Sequence, residues 1–256
     1  MYKFIGLFLG YYLLGLFGAF LGYLFGSSID RAREYGIGGI NPLGNDQRKA
    51  VFLETAFVLM GKLAKADGHI SKGEISHVEQ FIQKMGMTSE HRSLAIEQFK
   101  LGSTTDFDIE ITLDEFMASC GHTSNLKQVL LMYLIVMALA DGKLDDSEQL
   151  LLERIASRLG YSPVQFRQLL EMVLNQSHFA HGQSNSATAL DDAYKALGVT
   201  KAQSDQEIKR AYRKLISQYH PDKLIGQGLP EDMIAVATEQ AKEIQVAYDL
   251  IKKQRR

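Results

Sequence analysis

Apolar and polar positions alternate with a helical period over most of this chain. Val51, Ala56, Phe57, Met60, Leu63 and Ala64 form one stripe, and Ile75, Val78, Phe81, Ile82 and Met85 form another. Leu126 to Leu139 is almost wholly apolar, which predicts a central buried helix. Ile155, Ala156 and Leu159, then Phe166, Leu169, Leu170 and Val173, continue the pattern, and Ser162 before Pro163 marks a helix start. Near the C-terminus, Ile208, Ala211, Tyr212, Leu215 and Tyr219 recur at helical spacing. Ile234, Ala237, Ala241, Ile244, Ala247, Tyr248 and Ile251 can face them. No strand-period alternation of any length interrupts this, so the expected fold class is all-α.

The N-terminus departs from amphipathic patterning. From Phe4 to Ile29 no residue is charged, and the run is long enough to cross a hydrocarbon core of about 30 Å. A cleavable signal peptide is the rival reading, but it would have a shorter apolar core and a small-residue cleavage site. The expectation is a retained transmembrane helix. Gly18, Gly22 and Gly26 lie four apart on one face of it, as do Gly6 and Gly10. That spacing lets two backbones approach closely, so the anchor is expected to pair into a homodimer. The alternative is that membrane helices simply tolerate glycine.

Composition adds a partition into domains. The chain has 256 residues, is 46% apolar and 23% charged, and carries a formal charge of -2, which gives no sign of nucleic-acid binding. The expected segments are an anchor at 1–30, a juxtamembrane linker at 31–46, a helical domain at 47–176, a flexible polar tether at 177–189 and a terminal helical domain at 190–256. The one cysteine, Cys120, allows no intrachain disulfide, as expected in a reducing compartment.

Two motifs carry candidate chemistry. In the terminal domain, Ser204 and Glu207 have capping-box spacing and start a helix. Lys209, Arg210, Arg213 and Lys214 lie off its apolar stripe and form a cationic face suited to an acidic partner surface. The helix is expected to end at His220, because Pro221 disfavours helical geometry in the residue before it. A loop would then carry His220, Pro221 and Asp222 to the next helix, which starts near Pro230 and runs to about Lys253. No nucleophile motif or metal-ligand spacing surrounds His220, so it is not set up as a catalyst, and no enzyme activity or cofactor is expected.

In the middle domain, Ala66-Asp67-Gly68-His69-Ile70-Ser71 followed by Glu74 recurs as Ala140-Asp141-Gly142-Lys143-Leu144-Asp145 followed by Glu148. Each copy ends one helix and begins another. The oxygen ligands of a calcium loop would fall two and four residues before each Asp, where this chain has Lys65 and Leu63, then Leu139 and Met137. A standard calcium loop is therefore excluded. Ser71 with Glu74, and Asp145 with Glu148, read as helix caps. The alternative is a joint metal site of Asp67, Glu74, Asp141 and Glu148.

The stretch from Asp192-Ala193-Tyr194-Lys195-Ala196-Leu197 through Tyr219-His220-Pro221-Asp222-Lys223 to Ala247-Tyr248-Asp249-Leu250 resembles a J-domain. That resemblance implies a co-chaperone that stimulates the ATPase of a DnaK-type chaperone. It assigns the stimulus to His220, Pro221 and Asp222, and docking to Lys209, Arg210, Arg213 and Lys214. The fourth short helix of many J-domains is absent or vestigial. The repeated middle domain resembles the TerB-like domain. The order of anchor, TerB-like domain and J-domain resembles the DjlA-type membrane co-chaperones. This implies a single-pass protein of the cell inner membrane, with a periplasmic N-terminus, cytoplasmic domains and a link to envelope stress signalling and capsule polysaccharide expression. An envelope or metal-responsive sensor working mainly through the TerB-like domain is the alternative.

Overall fold

The computed structural model describes residues 42–66, 72–140, 144–180 and 186–255. The expected anchor, with Gly18, Gly22 and Gly26, lies outside them. Among the described residues no helix is long and apolar enough to cross a membrane. Every regular element among them is helical, so the all-α expectation holds. From Arg48 onward the chain forms one compact unit.

Seven helices build the first module: α1 (Pro42–Ala64), α2 (Lys72–Met85), α3 (Ser89–Gly102), α4 (Ile109–Cys120), α5 (Ser124–Ala138), α6 (Asp146–Arg158) and α7 (Pro163–Ala180). The centre is α5. Leu126, every residue from Val129 to Ile135, and Met137 and Ala138 are buried, so the helix is enclosed on all sides. Rings pack around it. Tyr133 meets Phe52 edge-on at 6.1 Å and Phe81 at 5.8 Å, and Phe52 meets Phe116 at 6.1 Å. Offset and edge-on rings of this kind add to the burial term.

Glycine sets one helix crossing. A methyl group on Gly61 of α1 would overlap the Phe99 carbonyl, and one on Gly102 of α3 would overlap the Val58 carbonyl. The two backbones therefore touch where no side chain intervenes.

The repeated Asp-Gly motifs each separate two helices, α1 from α2 and α5 from α6, as expected. In the second copy the Asp145 backbone N–H donates to Glu148 Oε2 at 3.0 Å, one arm of the capping box. Ser162 Oγ accepts from the Gln165 backbone at 3.3 Å, so the Ser-Pro start of α7 also stands. Asp67 and Asp141 lie outside the described residues, as does the side chain of Glu74. Among the described residues no group of three or more His, Cys, Asp or Glu could hold a metal ion.

The second module comprises α8 (Ser186–Ala196), α9 (Asp205–Gln218), α10 (Pro221–Gln227), a 3-10 turn (Glu231–Met233) and α11 (Ile234–Gln254). Four expectations change. Helix α1 begins at Pro42, inside the expected linker, because proline suits the first helical position. Helices α7 and α8 take both ends of the expected 177–189 tether. The alanines at 187 and 189 favour helix, although the run reads as polar and small. Pro221 ends α9 but also opens a helix of its own, α10, so His220 to Asp222 is a helix start and not a plain loop. Pro230 leads into the 3-10 turn before α11 starts at Ile234.

Candidate partner-docking site

Helix α9 begins at a complete capping box. Ser204 Oγ accepts from the Glu207 backbone at 3.4 Å, and Glu207 Oε2 accepts from the Ser204 backbone at 2.8 Å. The Ser204 hydroxyl, which donates to Glu207 Oε2 at 2.7 Å, and then the Ser204 backbone N–H hold the Glu207 carboxyl below its ordinary range. Ile208, Leu215 and Tyr219 are buried, with Ala211, Tyr212 and Ile216 packed beside them. This fixes the rotation of the helix. Lys209, Arg210, Arg213 and Lys214 are consequently all exposed, and no carboxylate among the described residues lies within salt-bridge distance of them.

Helix α9 is held against α11 by stacked rings. Tyr212 and Tyr248 lie 4.1 Å apart at 11°, and the Tyr212 hydroxyl donates to Gln245 Oε1. At the other end Arg255 fastens α11 to the start of the module. Its Nε donates to the Tyr194 hydroxyl at 2.9 Å, Nη1 to Asp205 at 2.5 Å and Nη2 to the Lys201 carbonyl at 2.6 Å.

His220 is the N-cap of α10 and is exposed. Its carbonyl accepts the Leu224 N–H at 3.0 Å, and Leu224 is fully buried. Leu224 thus pins the turn while the imidazole faces outward. Asp222 is exposed in the first turn of α10, where a negative charge suits the helix end. Gly228, at φ 109°, closes α10 in the left-handed conformation.

A shallow groove runs between α9 and α10. It is lined by Tyr212, Arg213, Ile216, Ser217, His220, Asp222 and Lys223. The structure thus brings Arg213, His220 and Asp222 together. Lys209, Arg210 and Lys214 sit on the same helix beyond the groove. Sequence reading quoted Lys223 with the motif but gave it no docking role, and it did not single out Ile216 or Ser217. Lys223 Nζ reaches across to Ser217 Oγ at 3.2 Å, a contact between helices that no local pattern shows.

The module is seated on the helical bundle. Gln128 donates to the Tyr219 hydroxyl at 3.2 Å, and Asn125 donates to Gln227 Oε1 at 3.1 Å. Arg48 donates to the Gln227 carbonyl at 3.2 Å, and His91 Nδ1 meets Asp232 at 2.5 Å. The seat uses Tyr219 at the end of α9, α10, the 3-10 turn and α11, and leaves the cationic side of α9 in solvent.

Two family models match, and together they span most of the chain. Residues 53–171 match the tellurite resistance protein TerB, and residues 192–256 match the DnaJ domain. The chain is 34% identical to the co-chaperone protein DjlA of Pasteurella multocida over 276 residues, covering 97% of this chain and 96% of that protein. It is 37% identical to the DjlA of Photobacterium profundum, covering 99% and 98%, and 34% identical to that of Escherichia coli, covering 94% and 92%. No solved structure matches. With both modules matched in order, and these relatives matched over nearly their whole length, the chain belongs to the DjlA family of co-chaperone proteins.

Proposed function

We propose that this co-chaperone stimulates the ATPase of DnaK at the cytoplasmic face of the inner membrane. The groove of α9 and α10 is the contact. The observation that carries this reading is the exposure of His220 and Asp222 beside four exposed cations, on a module whose opposite side is already occupied by the bundle. Lys209, Arg210, Arg213 and Lys214 would steer an acidic partner surface, and His220, Pro221 and Asp222 would engage it. The chain contributes no bond-making group of its own in this scheme. It changes the turnover of its partner.

The uncharged run from Phe4 to Ile29 supports single-pass anchoring, with the N-terminus periplasmic and the helical modules cytoplasmic, where DnaK is found. Gly18, Gly22 and Gly26 support pairing of two anchors into a homodimer. Coupling to envelope stress signalling and capsule polysaccharide expression rests on the family resemblance alone.

The decisive experiment is single-turnover ATP hydrolysis by DnaK with the wild-type protein and with His220→Gln. The variant should keep its helical circular dichroism, since the side chain is exposed, and lose the stimulation. Full stimulation by the variant overturns the reading. For the anchor, Gly18→Leu with Gly22→Leu should still insert but fail to self-associate in a membrane two-hybrid assay.

A further inference from the structure

Between the bundle and α11 lies a half-open cleft of about 690 Å³. That size falls within the range of about 300–1,000 Å³ usual for small-molecule sites. Its walls are largely apolar, with Phe81 from α2, Val136 from α5 and Val236 from α11 among them. Two polar side chains of α11 stand out against them. Gln240 is 7% exposed and Glu243 is 9% exposed. The Gln240 amide nitrogen approaches Glu243 Oε2 at 3.5 Å, while Gln240 Oε1 is buried with no hydrogen-bond partner. A buried acceptor left unpaired is costly, because it has given up its water and gained no donor. Buried carboxylates are ordinarily paired. No cation among the described residues lies within salt-bridge distance of Glu243.

We propose that this cleft binds a small organic cation, a primary ammonium bearing an apolar group, through Gln240 Oε1 and the Glu243 carboxylate. An ammonium offers three N–H donors, enough for both acceptors, and its charge answers the carboxylate. A neutral ligand would leave that charge uncompensated. A bare metal ion would find too few oxygen ligands on an apolar wall. The apolar group would lie against Phe81, Val136 and Val236.

The other charged or titratable groups lining the cleft are Glu239, on the same helix, and His77 and Lys84 from α2; α5 and α7 present apolar side chains. Burial first, and then Glu239, push the Glu243 carboxyl up to about 7. The ammonium would hold it ionised, so affinity should rise with pH through that value.

The test uses the full chain in nanodiscs of zwitterionic lipid, with empty nanodiscs as the blank. Saturation-transfer NMR is recorded with butylammonium, 1-butanol and butyrate. Butylammonium should give a saturable signal at pH 8 that weakens several-fold at pH 6, and the alcohol and the anion should give none. Glu243→Gln and Gln240→Met, both close in shape and checked for folding by circular dichroism, should each weaken binding at least tenfold. Glu243→Gln should also abolish the pH dependence, which His77→Gln should leave in place. Absence of a saturable butylammonium signal overturns the proposal. So does equal binding of butanol, or undiminished binding by either α11 variant.

Discussion

The Tyr133 hydroxyl, at the centre of the bundle, donates to the backbone carbonyl of Met233, in the 3-10 turn of the J-domain. Both residues are fully buried. Burial pushes the phenol well above its ordinary range, so it stays a neutral donor at every working pH. With Asn125 and Gln128, this hydrogen bond links the innermost helix of one module to the other, and it is the fully buried one of the three.

Tyr133→Phe should therefore destabilise the seat more than an exposed substitution would. It removes one buried hydrogen bond to the Met233 carbonyl, a loss of about 0.5–1.5 kcal/mol. Hydrogen exchange should show the 3-10 turn and the start of α11 opening more readily, with α3 and α4 unchanged. Unaltered protection at Met233 and Ile234 would show that the contact contributes nothing.

Gly61→Ala and Gly102→Ala should each lower stability by at least about 1–3 kcal/mol, the range for overpacking, because the added methyl meets backbone that cannot rotate aside. Urea denaturation measures this. Gly86→Ala tests a different cause. A methyl there meets nothing, but the residue holds φ +65°, so its cost is conformational.

Glu243 predicts a pH dependence with a definite sign. Its carboxyl is raised from 4.5 to about 7, so the folded state disfavours the charged form. Stability from this group is full below about 4.5 and falls as pH rises through 7. Glu243→Gln should match wild type near pH 5. It should be more stable by on the order of 1–3 kcal/mol at pH 8. Thermal melts at the two pH values, without added amines, check this; a variant less stable at pH 8 would contradict it.

On the proposed function, Arg213→Glu with Lys214→Glu should weaken DnaK binding about tenfold or more, a loss of at least about 1.4 kcal/mol. Wild-type affinity should fall with added salt, because all four cations are exposed and are screened. Titration at several ionic strengths decides it. An affinity indifferent to salt would move the contact to apolar surface.

Cys120 should resist thiol reagents in the native protein. It is fully buried, and burial pushes its thiol up to about 12, so the thiolate is scarce at pH 8. Labelling should appear only as the protein unfolds in denaturant.

Much of this architecture was legible in local patterns. The unbroken apolar run of α5 could only be buried, and Ser204 with Glu207 announced α9 and, with it, which way the cations face. Pro221 was ambiguous because one residue both ends a helix and begins another. The seat was not legible at all. Its partners are ordinary polar residues such as Asn125, Gln128 and His91, paired with positions about a hundred residues or more along the chain. No periodicity marks such pairs, and neither module needs them to satisfy its own stripe. Glu243 was hidden for a similar reason. It lies beside the apolar face of α11 and is buried only because the bundle covers it.

The seating of α10 and α11 on the bundle changes the mechanics of the encounter. A J-domain on a loose tether would search for its partner by swinging. Here His220 keeps one bearing relative to α5, so a chaperone that takes hold of the groove takes hold of the bundle as well. Torque on the bundle would reach the partner with little slack, and the two modules should tumble in solution as a single body with one rotational correlation time.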